Sequence, residues 1–308
     1  MTGPDPASGA GTPDLSACEQ EPIRIPGSIQ PHGALFVVEP RTLRVLQAAV
    51  GDPTALVGGD PLGRRLPDVL VPEAAALLER IDEAVPAAGL AYLGLVRRGS
   101  AVHHVLAHRG EGGVIVELEC GADGEPGSFD AVFPHLCDFL DALQRTGPVE
   151  ELAAFAAREV RRLTGLDRAL VYRFDAEWHG AVIAEDRNDN LPSYLGLRFP
   201  ASDIPAQARA LYRQSRLRLI ADANYAPAPL RPALHPLSGQ PTDLGFAVLR
   251  SVSPVHLEYM RNMGTMASMS ISLLREGQLW GLISCHNRAP ARVPYHVRSA
   301  CDFIGQLL

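Results

Sequence analysis

A short polar break organises the whole chain. Residues Gly121–Ser128 read GADGEPGS, and such a Gly/Pro/Asp run has too little apolar surface to sit inside a folded unit. Strand and helix patterns begin afresh on either side of it. We therefore expect an α+β protein of two domains, the first over residues 18–125 and the second over 126–308, each with a central antiparallel sheet flanked by helices. Residues 1–17 carry little to bury and are expected to be a disordered tail. In the first half, apolar runs at Ala34–Val38 and Leu43–Val50 flank a turn at Glu39–Thr42 and predict two strands. A helix is expected over Pro72–Val85, with Ala74, Leu77, Leu78 and Ile81 on one face. Three more strands follow at Ala91–Val96, Val102–Ala107 and Val114–Leu118, the last two joined through Gly110–Gly113.

The second half opens with two helical patterns, Phe133–Leu143 and Val149–Leu163. A hairpin is expected from Ala169–Phe174 and Ala181–Glu185, and another from Met266–Arg275 and Leu279–His286. Ser202-Asp203-Ile204-Pro205 and Ser253-Pro254 both resemble helix starts, a capping residue followed by a proline suited to the first turn. The second of these helices should run to Met263 and stop at Gly264. The final helix, from Tyr295, reaches the chain end without a stop signal, which reads as a piece of something longer.

Composition removes several functions. No lysine occurs, so all 28 basic residues are arginine, and mechanisms needing a Schiff-base or phosphate-loop lysine are excluded. A net charge of −7 argues against nucleic acid or an anionic membrane as partner. Neither a signal peptide nor an apolar span is present, which reads as cytoplasmic. The five cysteines are scattered and odd in number, so they form no disulfide framework. His103, His104, His108 and Cys120 lack metal-ligand spacing, and neighbours on a strand such as Cys285 and His286 point apart. No nucleophile–base pair is visible, so this chain is not expected to be an enzyme.

What remains is a set of groups suited to holding a ligand. Arg218, Arg250, Tyr212, Ser268 and Ser270 are anion-binding types, and the two serines share a strand face. Tyr172, Phe199, Tyr259 and Met263 can line an aromatic wall, and His256 and His286 add ring nitrogens. Singly, each reads more simply as a core aromatic, a satisfied histidine or a surface arginine. Together they describe a pocket for a large, flat, conjugated ligand with carboxylate tails. A sensor of a small molecule of the cyclic-nucleotide kind, without such a ligand, is the alternative.

Four stretches carry a resemblance: Cys18 with EPIRIPGSIQPHG, then RFPASDIPAQARALY, RSVSPVHLEYMRNMGTMASMSIS and LWGLISCHNRAP. They resemble the bacterial phytochromes, as the PAS and GAF domains of the photosensory module. The resemblance implies biliverdin, a linear tetrapyrrole, held in the GAF pocket and thioether-linked to Cys18. Val255 stands where plant relatives carry their cysteine, which favours the N-terminal attachment. It further implies that Asp203, in the segment with Ile204, faces the pyrrole N–H groups across from His256. Arg250 and Tyr212, with Arg218 nearby, would hold one propionate, and His256, Ser268 and Ser270 the other. Tyr172, Phe199 and Tyr259 would surround the D ring, and His286 would bond its carbonyl. Asn287 stands where many relatives have a second histidine. The resemblance also implies a knotted crossing, with the N-terminal segment threaded through a loop near Ser215–Asp243. In the intact protein it implies a homodimer, PHY and kinase domains, a response-regulator partner, and red/far-red signalling by D-ring isomerisation.

Overall fold

A computed structural model describes residues 21–51, 56–121, 129–145 and 147–308; the expected tail and Cys18 lie outside the described residues. The first half contains β1 (Ser28–Ile29), β2 (Gly33–Val38), β3 (Val45–Val50), α1 (Leu66–Val69), α2 (Pro72–Leu77), α3 (Ile81–Ala84), β4 (Leu90–Arg98), β5 (Ala101–Gly110) and β6 (Gly113–Cys120). Five of these strands form an antiparallel sheet in the order β3-β2-β6-β5-β4. Every residue of β2 is buried. The cause is burial on both sides: Ala34, Phe36 and Val38 pack with Leu66, Ala74 and Ile81 of the helices. Leu35 and Val37 pack instead with Ala228, Leu244 and Leu249 from the second half. A strand covered on both faces loses its polar alternation, which is why GALFVV reads as one apolar run.

The single helix expected over Pro72–Val85 is two pieces, α2 and α3. Leu78, Glu79 and Ile81 donate to carbonyls three residues back instead of four, so the chain tightens between them. The apolar spacing still serves its purpose, because Ala74, Leu78 and Ile81 are all buried.

The second half comprises α4 (Phe129–Arg145), α5 (Val149–Thr164), β7 (Arg168–Phe174), β8 (Gly180–Arg187), β9 (Arg198–Phe199), α6 (Ala206–Gln214), β10 (Leu217–Ile220), β11 (Ala228–Pro229), α7 (Pro254–Asn262), β12 (Ala267–Arg275), β13 (Gln278–Asn287) and α8 (Tyr295–Leu307). Its sheet is antiparallel in the order β10-β12-β13-β7-β8-β9. One face carries Val171, Met269, Ile271, Ile283 and Cys285 and packs on Ala156, Val160, Cys301 and Ile304 of the helices. The opposite face carries the polar and aromatic side chains described below. Among the described residues, no helix is long and apolar enough to cross a membrane.

The two predicted helix starts behave differently. Ser253 caps α7 as expected, accepting from His256 N with Pro254 in the first turn, and Gly264 follows the helix at φ +70°. Ser202 and Asp203 instead lie in a 3-10 turn, Ala201–Asp203, and Pro205 is the residue at the cap of α6, with no side-chain bond. The residue before a proline is pushed out of helical geometry, so Ile204 breaks the run and the helix begins one residue after Pro205.

Residues 21–30 run between two arms of the 219–253 region and bond to both. β1 pairs with β11, and Leu230 N donates to Gly27 O at 2.9 Å. On the other arm, Leu244 N donates to Arg24 O at 2.8 Å, and Gln30 N to Leu249 O at 2.7 Å. Gln30, almost fully buried, also donates through Nε2 to Leu219 O at 2.9 Å. Deeper in the seam, Arg298 of α8 forms an ion pair with Glu119 of β6.

Candidate functional site

The alternation of β12 and β13 decides what the second sheet presents. Met269, Ile271, Ile283 and Cys285 face the helices, so Ser268, Ser270, Ser284 and His286 must face the other way. There they floor a cleft roofed by α6, α7 and the 3-10 turn before α6. Thirteen of the fourteen candidate residues line this one cleft: Asp203, His256, His286, Arg250, Arg218, Tyr212, Ser268, Ser270, Tyr172, Phe199, Tyr259, Met263 and Ile204. Cys18 lies outside the described residues. Ile23 of the N-terminal segment lines the cleft as well, and Glu21 accepts a hydrogen bond from Ser253 Oγ at the start of α7.

One side of the cleft is cationic. Arg218 and Ser270 are cross-strand partners on β10 and β12. The Arg218 guanidinium donates to the backbone oxygen of Arg250, whose own guanidinium donates to Ile23 O. Burial, and then the charge of Arg218, pull Arg250 down to about 8. Its Nε is buried with no hydrogen-bond partner among the described residues. Burial also lowers Arg218. Two desolvated guanidinium groups side by side are costly unless an anion joins them. His256 is held neutral on the same side, pushed to about 4 by burial and by Arg218.

The other side is aromatic. Tyr172 and Phe199 lie 6.0 Å apart at their ring centroids, and Tyr194 and Phe199 5.8 Å. Burial raises the Tyr172 and Tyr259 hydroxyls to about 12, so both stay protonated. The ring of Tyr172 requires glycine at 180, where a Cβ would sit 1.6 Å from Tyr172 Cζ. His286 stands between Ser284 Oγ, 3.3 Å from its Nε2, and Arg168, whose Nε is 3.3 Å from its Nδ1. Burial, and next the Arg168 charge, push His286 to about 3 and keep it neutral.

Arg168 escaped the sequence reading. It is 1% exposed, donates to Pro192 O at 2.6 Å and stacks 3.8 Å from the Tyr194 ring centroid. An arginine opening the apolar run RALVYRF was the available signal. Tyr194, Ser284 and Val182 were missed too, and nothing in their local sequence singles them out. The neighbouring Cys285 and His286 do diverge: the thiol is buried among the helices and raised to about 12, while the imidazole faces the cleft. Asn287 turns away, accepting from Asp167 N at 3.0 Å and donating to Ala289 O at 2.9 Å.

A site with two guanidiniums that meet no carboxylate within ion-pair distance among the described residues, neutral imidazoles and an aromatic wall suits a planar, extended, dicarboxylate ligand. The chain matches the PAS fold family over residues 18–121 and the GAF domain family over 148–308. Cyanobacterial phytochrome B of Nostoc sp. is 46% identical over 301 residues, which are 96% of this chain and 40% of that relative. The bacteriophytochrome of Xanthomonas campestris is 39% identical over 316 residues, 96% of this chain and 47% of its own length. This chain thus spans less than half of either relative. Among solved structures, the wild-type chromophore-binding domain of a Stigmatella aurantiaca phytochrome is 45% identical with a TM-score of 0.81, covering 94% of this chain and 97% of that one. The chromophore-binding domain of an unusual R. palustris bacteriophytochrome is 42% identical with a TM-score of 0.84, covering 94% and 95%.

Proposed function

The chain belongs to the phytochrome family, as a PAS–GAF chromophore-binding module, and from that premise we propose that it is a red/far-red photoreceptor that binds biliverdin covalently through Cys18. The observation that carries this reading is the orphaned Nε of Arg250 beside Arg218, in a cleft whose far wall is aromatic. Arg250, Arg218 and Tyr212 would hold one propionate; His256, Ser268 and Ser270 the other. Asp203 and Ile204 would cover the pyrrole nitrogens, and Tyr172, Phe199, Tyr259 and Met263 would enclose the D ring near His286. When bound, the bilin supplies the visible absorption and a double bond that light can isomerise. The protein's part is to bind the carboxylates, exclude water and keep the imidazoles neutral, so that each can accept at one ring nitrogen and donate at the other.

Reach supports the attachment residue. Glu21 is bonded to Ser253, the cap of the helix that carries His256. Cys18 lies three residues upstream of Glu21, a span of at most ~11 Å when extended. A homodimer, PHY and kinase domains and a response-regulator partner are proposed for the intact protein, with a cytoplasmic location and no catalysis by this part.

Mixing the apoprotein with biliverdin tests the reading. A sharpened red band and a mass increase of one bilin are expected, and Cys18→Ser should abolish the mass increase. Failure to bind biliverdin, together with binding of a cyclic nucleotide, would overturn it. An adduct that persists in Cys18→Ser would overturn the attachment.

A further inference from the structure

Glu117 is a fully buried carboxyl group in the middle of β6, on a sheet that supplies no residue to the cleft. Strand alternation points it away from the α1–α3 helices and toward the 244–251 stretch of the second half. Its two oxygens accept from two consecutive backbone amides, Val248 N at 3.1 Å and Leu249 N at 2.8 Å. The next residue is Arg250. The same stretch is pinned from its other edge, where Gln30 N donates to Leu249 O at 2.7 Å and Ile29 bridges to Arg250. Arg218, in turn, takes its position from the backbone oxygen of Arg250.

The Arg250 guanidinium therefore extends from a backbone segment held along one edge by a carboxyl group of the other sheet, and the Arg218 side chain, rooted on β10, is braced against the carbonyl of that segment. A carboxyl group suits that place because its two oxygens can take both amides at once, with charge-assisted strength when it is ionised. Burying a charge for packing alone would be costly, and an apolar residue of similar size would fill the space more cheaply. The charged neighbours are consistent with a role toward the clamp. Glu117 faces Arg218 electrostatically, and His108 Nδ1 stands 4.0 Å away and is held neutral by burial.

We propose that Glu117 is a positioning residue for the ligand-carboxylate clamp, the contribution of the first domain that sets the backbone from which Arg250 reaches the ligand and the carbonyl against which Arg218 is braced. The proposal rests on the bilin reading above. Preorganisation is the physical gain: a guanidinium already aimed loses less freedom when the anion arrives.

The test compares biliverdin with its dimethyl ester, which lacks both carboxylates, in a Cys18→Ser background where binding is reversible. The parent should prefer the free acid on the order of tenfold, the worth of one charge-assisted hydrogen bond. Glu117→Leu and the isosteric Glu117→Gln should shrink that preference to about twofold. In the apoprotein, amide hydrogen exchange at Val248 and Leu249 should quicken on the order of tenfold, with β12 and β13 unchanged. Variants that keep the parent's acid preference overturn the proposal, whatever their melting temperature. A parent that binds neither compound overturns the bilin reading first, and this one with it. If Glu117→Leu does not fold, Glu117→Gln decides.

Discussion

His256 and His286 face one cleft, yet different neighbours keep each of them neutral. Arg218 opposes protonation of His256, and Arg168 opposes protonation of His286. A neutral imidazole can accept from a pyrrole N–H or donate to a carbonyl, whereas an imidazolium beside a cationic bilin would repel it. His256→Ala removes an acceptor that favours the protonated ligand. Loss of red absorbance on alkaline titration should therefore begin about one pH unit lower in the variant. Coincident titration curves would mean that His256 does not touch that proton. At this scale the sequence was informative about residue type: the Arg, Ser, Tyr and His residues it singled out line one cleft. It could not separate a cleft arginine from a buried structural one, and Arg168 shows why. Its role comes from Tyr194, Pro192 and His286, none of them its sequence neighbours.

β7 and β8 illustrate how an element holds a site residue. Tyr172 reaches the cleft only because its ring lies over the backbone of Gly180 on the paired strand. Gly180→Ala puts a methyl group where the ring stands, so the ring must leave its rotamer. Overpacking of this kind costs about 1–3 kcal/mol. We expect a melting temperature lower by about 3–9 °C and a shifted bilin band. An unshifted band with a lowered melting temperature would place Tyr172 outside the chromophore contacts. Elements were legible where local chemistry is self-sufficient. The Ser253 cap and the Gly264 stop of α7 are local, and both formed as read. The Pro72–Val85 helix and the Ser202 cap were misread because three-residue hydrogen-bonded turns divide the first and Pro205 displaced the second.

The seam between the two sheets is where the whole molecule is decided. Arg298 and Glu119 are 2% and 3% exposed, and His32 Nε2 stands 3.8 Å from the same carboxylate. Burial pushes Glu119 up, but Arg298 and His32 outweigh it and hold the group at about 2. Arg298→Met leaves that buried carboxylate with only His32 beside it and should cost about 3 kcal/mol in urea unfolding. Adding Glu119→Gln should recover most of the loss; a double variant as unstable as the sum of the singles would show that the pair is not coupled. Acid should also find this molecule's weakness. His108 and His256 are pushed to about 4 and His286 to about 3, in each case first by burial. Unfolded, each sits near ~6.5. Below that pH the unfolded chain binds protons the folded chain refuses, so stability falls from about pH 6.5 down to about pH 4. Glu117, raised to about 7 by burial, has the opposite sign and loses stability as pH rises from about 4.5 to 7. Three groups outweigh one. The apoprotein should melt on the order of 5 °C lower at pH 5 than at pH 6.5. A flat profile between those values would show the histidines to be solvated.

The sequence alone determined the two-sheet plan and the strand faces, because period-two alternation, caps and glycine stops act over a few residues. It also determined that arginine would bear every cationic role, since no lysine is present. Tertiary structure decided what spacing cannot encode. Arg250 lies 227 residues from Ile23 and 32 from Arg218, and Glu117 132 from Leu249. Contacts that distant carry no periodic signal. They arise when residues 21–30 lie between the arms of the 219–253 region and bring the first sheet against the second. Only then do the guanidiniums lose their water, Arg250 Nε lose its partner and the histidines their charge, because burial exists only once the two halves have met.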